Sequence, residues 1–314
     1  MSKQSIRHVY GACLTELGRK YPQLMVLDAD LKESTQSIQF ERVFPDRYIE
    51  CGIAEQNMLC VAAGLALVGK IPVVHSFAAF IAMRACEQVR TSIAYPGLNV
   101  KIVGTHAGVT AGSAGTTHHA LEDIAIMRAM AGMTVFVPGD ARELEQVIAA
   151  AFVINGPVYI RLGAIDYEDV YRDSDQFISG RATLLRPGND VTIMTTGHLM
   201  HAGVVAADIL KDQHGISARV LQMASIKPLD HAAIVAAVRE TAGIVTVEDH
   251  NILGGLGGAV CEAACAAGGA RVERIGVKDG FCGVGSCAFL LQQQKVTVDS
   301  IVLAVLDICC QKRG

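Results

Sequence analysis

The feature that most constrains the fold is an alternation. Five short runs, 23–30 (QLMVLDAD), 71–77 (IPVVHSF), 99–105 (NVKIVGT), 133–139 (MTVFVPG) and 156–163 (GPVYIRLG), are apolar nearly throughout and rich in β-branched residues. Longer stretches with helical spacing separate them, roughly 3–20, 54–69, 78–94, 120–131 and 140–154. A strand wetted on one face alternates apolar and polar residues, and a strand without that alternation is covered on both faces. Helices between such strands return the chain so that the strands run parallel. After a more polar stretch at 164–177 the alternation resumes with 190–197, 217–223, 243–250 and 270–277. The predicted fold class is therefore α/β, two open α/β domains in tandem. They span residues 1–165 and 186–314, with 166–185 as linker.

Composition narrows the partners. A chain of 314 residues can fill two cores, and a net charge of −4 provides no basic face for nucleic acid. The ten cysteines form no CxxC pair and no zinc-finger spacing, and several lie inside apolar runs. So many thiols without a framework predict a reducing, cytoplasmic compartment. The first residues, MSKQSIRHVYG, lack the apolar centre of a signal peptide, and no uninterrupted apolar run predicts a membrane span.

Three segments concentrate side chains that could carry chemistry. In YIECGIAEQNMLCVAAGLALVG (48–69), Glu55 opens a helix otherwise made of small and apolar residues. A carboxylate in the first turn is favoured by the helix dipole, and Gln56 and Asn57 are candidate caps. The same apolar helix predicts burial against the sheet or another subunit, which would desolvate the carboxyl and suit it to proton transfer. In HSFAAFIAM (75–83), Phe77, Phe80 and Met83 recur every three residues, as either a core stripe or a wall for a flat heteroaromatic ring. In IVGTHAGVTAGSAGTTHHALED (102–123), His106 ends a strand, and His118 and His119 close a glycine-rich loop. Groups that bind or react in open parallel sheets gather outside the carboxyl ends of the strands. Adjacent histidines seldom share one ion and no third ligand lies nearby, so no metal site is predicted. A hydrogen-bonding or acid–base role suits His118 better. The turn ILGGLGGAV (252–260) reads either as a phosphate cradle or as close helix–sheet packing.

Taken together, DADL (28–31), GIAEQNM (52–58), HSFAAF (75–80), TSIAYPGLNVKIVGTHAG (91–108), THHALEDIAIMR (117–128), VFVPGD (135–140), GPVYIRLG (156–163), IKPLD (226–230) and VEDHNILGGLGGAV (247–260) resemble the C-terminal half of transketolases in order and spacing. The chain looks most like the separate C-terminal subunit of a split transketolase. That implies a thiamine diphosphate-binding (pyrimidine) fold followed by a transketolase C-terminal domain. It also implies an enzyme that moves a two-carbon ketol unit from a ketose, phosphorylated or otherwise anionic, to an aldose. The beta subunits of 2-oxo acid dehydrogenases and deoxyxylulose phosphate synthase share this architecture, and a non-catalytic paralogue would share it too.

Residue by residue, the resemblance makes Glu55 the catalytic glutamate that contacts the ring nitrogen N1′ of the thiamine aminopyrimidine. Phe77 and Phe80 match the aromatic pocket for that ring, and Met83 stands where a third aromatic is often found. Asp30, with Leu31 beside it, matches the acidic residue near the thiazolium. Arg7, Ser34 and His106 match residues that hold the sugar phosphate, and His118 matches a catalytic histidine on the donor's oxygens. Two departures from the pattern matter. The loop commonly reads G-E-D-G-x-T/S-H-Q, whereas residues 112–119 are GSAGTTHH, so Ala114 replaces the acid. The arginine that usually follows the IRLG strand is Ala164, with Arg161 three positions earlier. The G-D-G…N motif that holds diphosphate and Mg²⁺ is absent. The resemblance therefore implies a partner chain that brings it, in a heterotetramer of two chains of each kind.

Overall fold

The structure, a computed structural model, describes residues 3–311. Its first half contains strands β1 (Lys3–Ser5), β2 (Leu24–Asp28), β3 (Tyr48–Glu50), β4 (Ile71–Phe77), β5 (Lys101–Thr105), β6 (Thr134–Phe136), β7 (Val158–Arg161) and β8 (Asp166–Glu168). The second half contains β9 (Thr183–Arg186), β10 (Val191–Thr195), β11 (Ala218–Gln222), β12 (Ser225–Lys227), β13 (Ile244–Asn251) and β14 (Val272–Val277). All the predicted apolar runs are strands. β4, buried at every position, sits in the interior of a seven-stranded sheet of order β12-β6-β7-β5-β4-β2-β3. Every pairing in that sheet is parallel except β12 with β6. The second sheet, β14-β13-β10-β11-β9, is parallel except for β9 at its edge.

Five short strands, β1, β3, β8, β9 and β12, lie outside the predicted runs, and three of them tie distant parts of the chain together. Residues 3–5, expected as the start of a helix, form β1, and the helix begins only at Ile6. β1 pairs with β8, which lies within the expected linker. β12 comes from the second half yet extends the first sheet, so the two units share a ladder as well as a surface. A strand of three residues is too short to show a period, and its partner is remote.

The segment 78–94 also differs from its predicted continuous helix. It breaks into two π-helical stretches, Phe80–Arg84 and Val89–Ala94, around Cys86–Gln88. The wider i→i+5 bonds (Ala85 N–H to Phe80 carbonyl, Tyr95 N–H to Arg90 carbonyl) rotate the side chains out of helical register. Phe77 is the last residue of β4, and Met83 is half-exposed, so the three do not form one helix face. The apolar stretch Cys287–Cys310 has the length and hydropathy of a membrane span, but it divides into helices Cys287–Gln293 and Val298–Gln311, with Lys295 at φ 56° between them. Ile301, Val305 and Ile308 of the second helix bury against the second sheet's core.

Candidate active site

The first sheet brings the chemistry together at its carboxyl edge. Asp30 and Leu31 follow β2, Phe77 ends β4, His106 follows β5 and Ala164 follows β7. Parallel register sets Phe77 beside Thr105, one residue before His106. The rings of Phe77 and His106 consequently stack with centroids 3.9 Å apart. Phe80 stacks against Phe77 at 5.8 Å, and His118 meets Phe80 edge-on at 5.2 Å. Residues from two strand ends and a distant loop thus make one aromatic wall.

Glu55 heads the helix Glu55–Leu67 and is 1% exposed. No side chain caps that helix, so Gln56 and Asn57 do not serve the predicted role. The carboxylate instead accepts from the Ser76 hydroxyl at 3.0 Å and from Arg84 Nη1 at 2.6 Å. Arg84 also lies over the Phe80 ring, 4.4 Å from its centroid. A planar, nitrogen-bearing cation therefore rests between a buried carboxylate and a phenyl face. An aminopyrimidine is likewise flat and nitrogen-bearing, and its ring nitrogen would share a proton with the same carboxyl, so these residues fit the ring. An open cavity of about 460 Å³ adjoins, lined by Phe80, Met83, Arg84, Thr116 and Glu122 among others.

At the other end of the wall, Arg7 donates from Nη1 to the Ser34 carbonyl at 2.7 Å and from Nη2 to the Ala164 carbonyl at 3.1 Å. Its Nε is buried without a partner. His106 adopts φ 56° and bonds Thr105 Oγ1 through Nδ1 at 3.1 Å. Burial, with the charges of Arg7 and His118 adding to it, lowers its pKa to about 4, so it is a neutral imidazole above that pH. His118 bonds Thr117 Oγ1 through Nδ1 at 3.0 Å, leaving Nε2 for another partner. His119 is buried, with Nε2 on the Gly112 carbonyl at 3.3 Å, so the adjacent histidines diverge.

Asp30 is exposed at φ 61°, and its N–H donates to Glu50 Oε1 at 2.8 Å. Beneath it Asp28, whose pKa burial raises to about 6, accepts from Leu31 N–H, Thr35 Oγ1 and Ser37 Oγ and so fixes the turn. Arg161 cannot replace the arginine missing at 164. Its guanidinium is buried, with Nε on Asp123 Oδ2 at 2.8 Å and Nη2 on the Asp249 carbonyl at 2.8 Å. The turn 252–260 is not a phosphate cradle. The N–H groups of Leu256 and Gly257 are taken by Glu248, and a Cβ at Gly255 would stand 2.0 Å from that carboxylate.

Two site residues were missed in the sequence. Arg84 falls four residues after Phe80, a spacing that could have suggested a cation over the ring. Asp249 had no local signal. Its contact with Val109 N–H spans 140 positions.

The fold and this site define the pyrimidine-binding half of a thiamine diphosphate enzyme. Residues 2–168 match the family described as "Transketolase, pyrimidine binding domain", and residues 180–301 match "Transketolase, C-terminal domain". A 6-deoxy-6-sulfo-D-fructose transketolase subunit of Clostridium sp. (strain MSTE9) is 40% identical over 98% of this chain and 95% of its own. One of the subunits of an apulose-4-phosphate transketolase from Phocaeicola vulgatus is 40% identical over 79% of this chain and 80% of its own. A solved split-gene transketolase, described as an inactive beta4 tetramer, is 42% identical, with a TM-score of 0.89 over 98% of this chain and 99% of its own. The chain belongs to the transketolase family, as the C-terminal subunit of a split enzyme, and is thus part of a transferase.

Proposed function

We propose that this chain supplies the aminopyrimidine half of a cytoplasmic ketol-transfer site, while a partner chain supplies the diphosphate and Mg²⁺ half. The assembly is a heterotetramer of two chains of each kind. Residues 1–165 form the pyrimidine-binding domain and 186–314 the C-terminal domain. Thiamine diphosphate, when bound, supplies the electron sink for breaking and making a carbon–carbon bond. The observation that carries the reading is Glu55, a carboxylate 1% exposed beside the Phe77–Phe80 wall.

Each side chain then has a task set by its surroundings. Glu55 holds a proton at the pyrimidine's ring nitrogen, with Arg84 yielding the position it takes beside Phe80. Low local dielectric strengthens that hydrogen bond. Phe77 and Phe80 orient the ring by stacking and exclude water. Asp30 and Leu31 close the side toward the thiazolium. His118, steadied by Thr117, offers Nε2 to the donor's carbonyl and hydroxyl oxygens. Arg7, Ser34 and neutral His106 receive the donor's distal anion.

That distal end is reduced, because Ala114 and Ala164 bring neither the usual acid nor the usual arginine. A lost guanidinium–anion contact removes about 1.5–3 kcal/mol, roughly one to two factors of ten in binding. One relative is named for a sulfonated ketose and another for apulose 4-phosphate, so subunits this similar serve different donors. We take the donor here to be an anionic ketose other than the usual sugar phosphates. Mixing this chain with a G-D-G…N partner chain, thiamine diphosphate and Mg²⁺ tests the reading. Ketol transfer should need both chains, and full turnover by this chain alone would overturn the divided site.

A further inference from the structure

The loop that carries His118, with His106 just before its first residue, is made by the first domain but seated by the second. Its two ends meet at Gly108 and Ala120, which exchange both backbone bonds (Gly108 N–H to Ala120 carbonyl 3.0 Å, Ala120 N–H to Gly108 carbonyl 3.2 Å). At that junction Asp249, 3% exposed and on β13 of the second sheet, accepts from the Val109 N–H through both oxygens, at 3.0 and 3.2 Å. Gly108 sits at φ 64°, and a Cβ there would stand 2.0 Å from Asp249 Oδ2, so the carboxylate packs directly on the backbone. The Asp249 carbonyl is held in turn by Arg161, whose Nη2 also bonds the Ala120 carbonyl at 3.1 Å. Nearer the tip, Thr116 Oγ1 donates to the Cys282 carbonyl, and Gly112 and Gly115 lie close against Gly285 and Val284. Val109 and Leu121 complete a small core with Val277, Cys282, Cys287 and Leu290.

We propose that Asp249 is a positioning residue for donor binding: the second domain, through this carboxylate, sets the loop so that His106 and His118 face the substrate. A buried charged acceptor on a backbone amide holds its partner more firmly than a neutral one, and misplaced binding groups lose rate steeply with distance. Cofactor binding depends on this seat less than donor binding does, because Glu55, Phe77 and Phe80 are placed by β4 and the segments beside it, and the loop reaches them only through the rings of His106 and His118 and the cavity lining. The inference rests on the ketol-transfer reading above.

The test is Asp249→Asn in the full chain, with Thr116→Val as a milder second variant. Backbone amide exchange of residues 107–119 should quicken about tenfold in Asp249→Asn, while helix 55–67 keeps its protection. In the complex with the partner chain, kcat/KM for the ketose donor should fall about tenfold, with the affinity for thiamine diphosphate within twofold of wild type. Thr116→Val should show the same pattern at about threefold, and it decides the matter if Asp249→Asn does not fold. Unchanged exchange and kcat/KM would overturn the proposal. So would a parallel loss of cofactor affinity with faster exchange throughout, which marks a general structural role. A wild-type complex that transfers no ketol unit would instead overturn the proposed function, leaving the exchange pattern as the test of the seat.

Discussion

The two ends of the aromatic wall differ in how completely this chain furnishes them. At the Glu55 end, a carboxylate, a hydroxyl and two phenyl rings converge, and Arg84 already occupies the place of a flat nitrogen-bearing group. At the Arg7 end, the guanidinium's terminal nitrogens rest on backbone carbonyls, and alanines stand where charged side chains are usual. The cofactor end is specified by burial and stacking, which tolerate little change. The substrate end, on the proposed reading, rests on partly buried Arg7 and His106 at the strand ends, beside loop positions 114 and 164 that can be exchanged without disturbing the sheet. A subunit of this kind can keep its reaction while changing its donor.

The largest effect should come from the cofactor end. Glu55→Gln keeps the volume and loses the proton acceptor, and turnover of the reconstituted complex should fall about 10²- to 10⁴-fold. A loss below threefold would remove Glu55 from the mechanism. At the substrate end, Arg7→Met should raise the donor KM about 10- to 100-fold and leave cofactor affinity unchanged, as measured by steady-state kinetics and cofactor titration. A shift in both would mean that the ends are not independent.

A third outcome concerns the seam between the domains that carry the two sheets. Glu143 is buried there, accepting from Gly139 N–H, Gln222 Nε2 and the Tyr171 hydroxyl, and burial raises its pKa to about 7. A carboxyl raised above its unfolded value contributes stability that is complete below about 4.5 and is lost as pH rises through about 7. Denaturant unfolding at pH 5 and pH 7.5 should therefore show a loss of about 2 kcal/mol from this group that Glu143→Gln lacks. Equal pH profiles for the two proteins would contradict it. Buried His75 and His250, lowered by desolvation to about 4, act oppositely, stabilising above about 6.5 and losing that contribution as pH falls through about 4. The smallest effect is at Met83, half-exposed beside the wall. Met83→Phe should tighten the cofactor by about two- to threefold through added stacking, measured by the same titration.

Much of this was legible in the sequence because buried parallel strands announce themselves as unbroken apolar runs. QLMVLDAD, IPVVHSF and DVTIMTTG each contain a strand, and their carboxyl ends hold Asp30, Phe77 and the loop before Met200. What could not be read depended on remote pairing. β1, β8 and β12 are three residues long and are stabilised by partners far along the chain. The π-helical turns Phe80–Arg84 and Val89–Ala94 lie against the helix Glu55–Leu67, and no residue pattern signals them. The tie of Arg161 to Asp123 and to the Asp249 carbonyl could not be read either, because those partners are 38 and 88 positions away.

The most direct test of the central claim restores the substrate end and watches the cofactor end. The complex would be prepared with wild-type chain and with Ala114→Asp/Ala164→Arg, and the KM for xylulose 5-phosphate measured beside the dissociation constant for thiamine diphosphate. The account predicts a KM at least about tenfold lower in the double variant, with cofactor affinity within twofold. An unchanged KM, or cofactor affinity that moves with it, would contradict the division of the site into a kept end and an altered one.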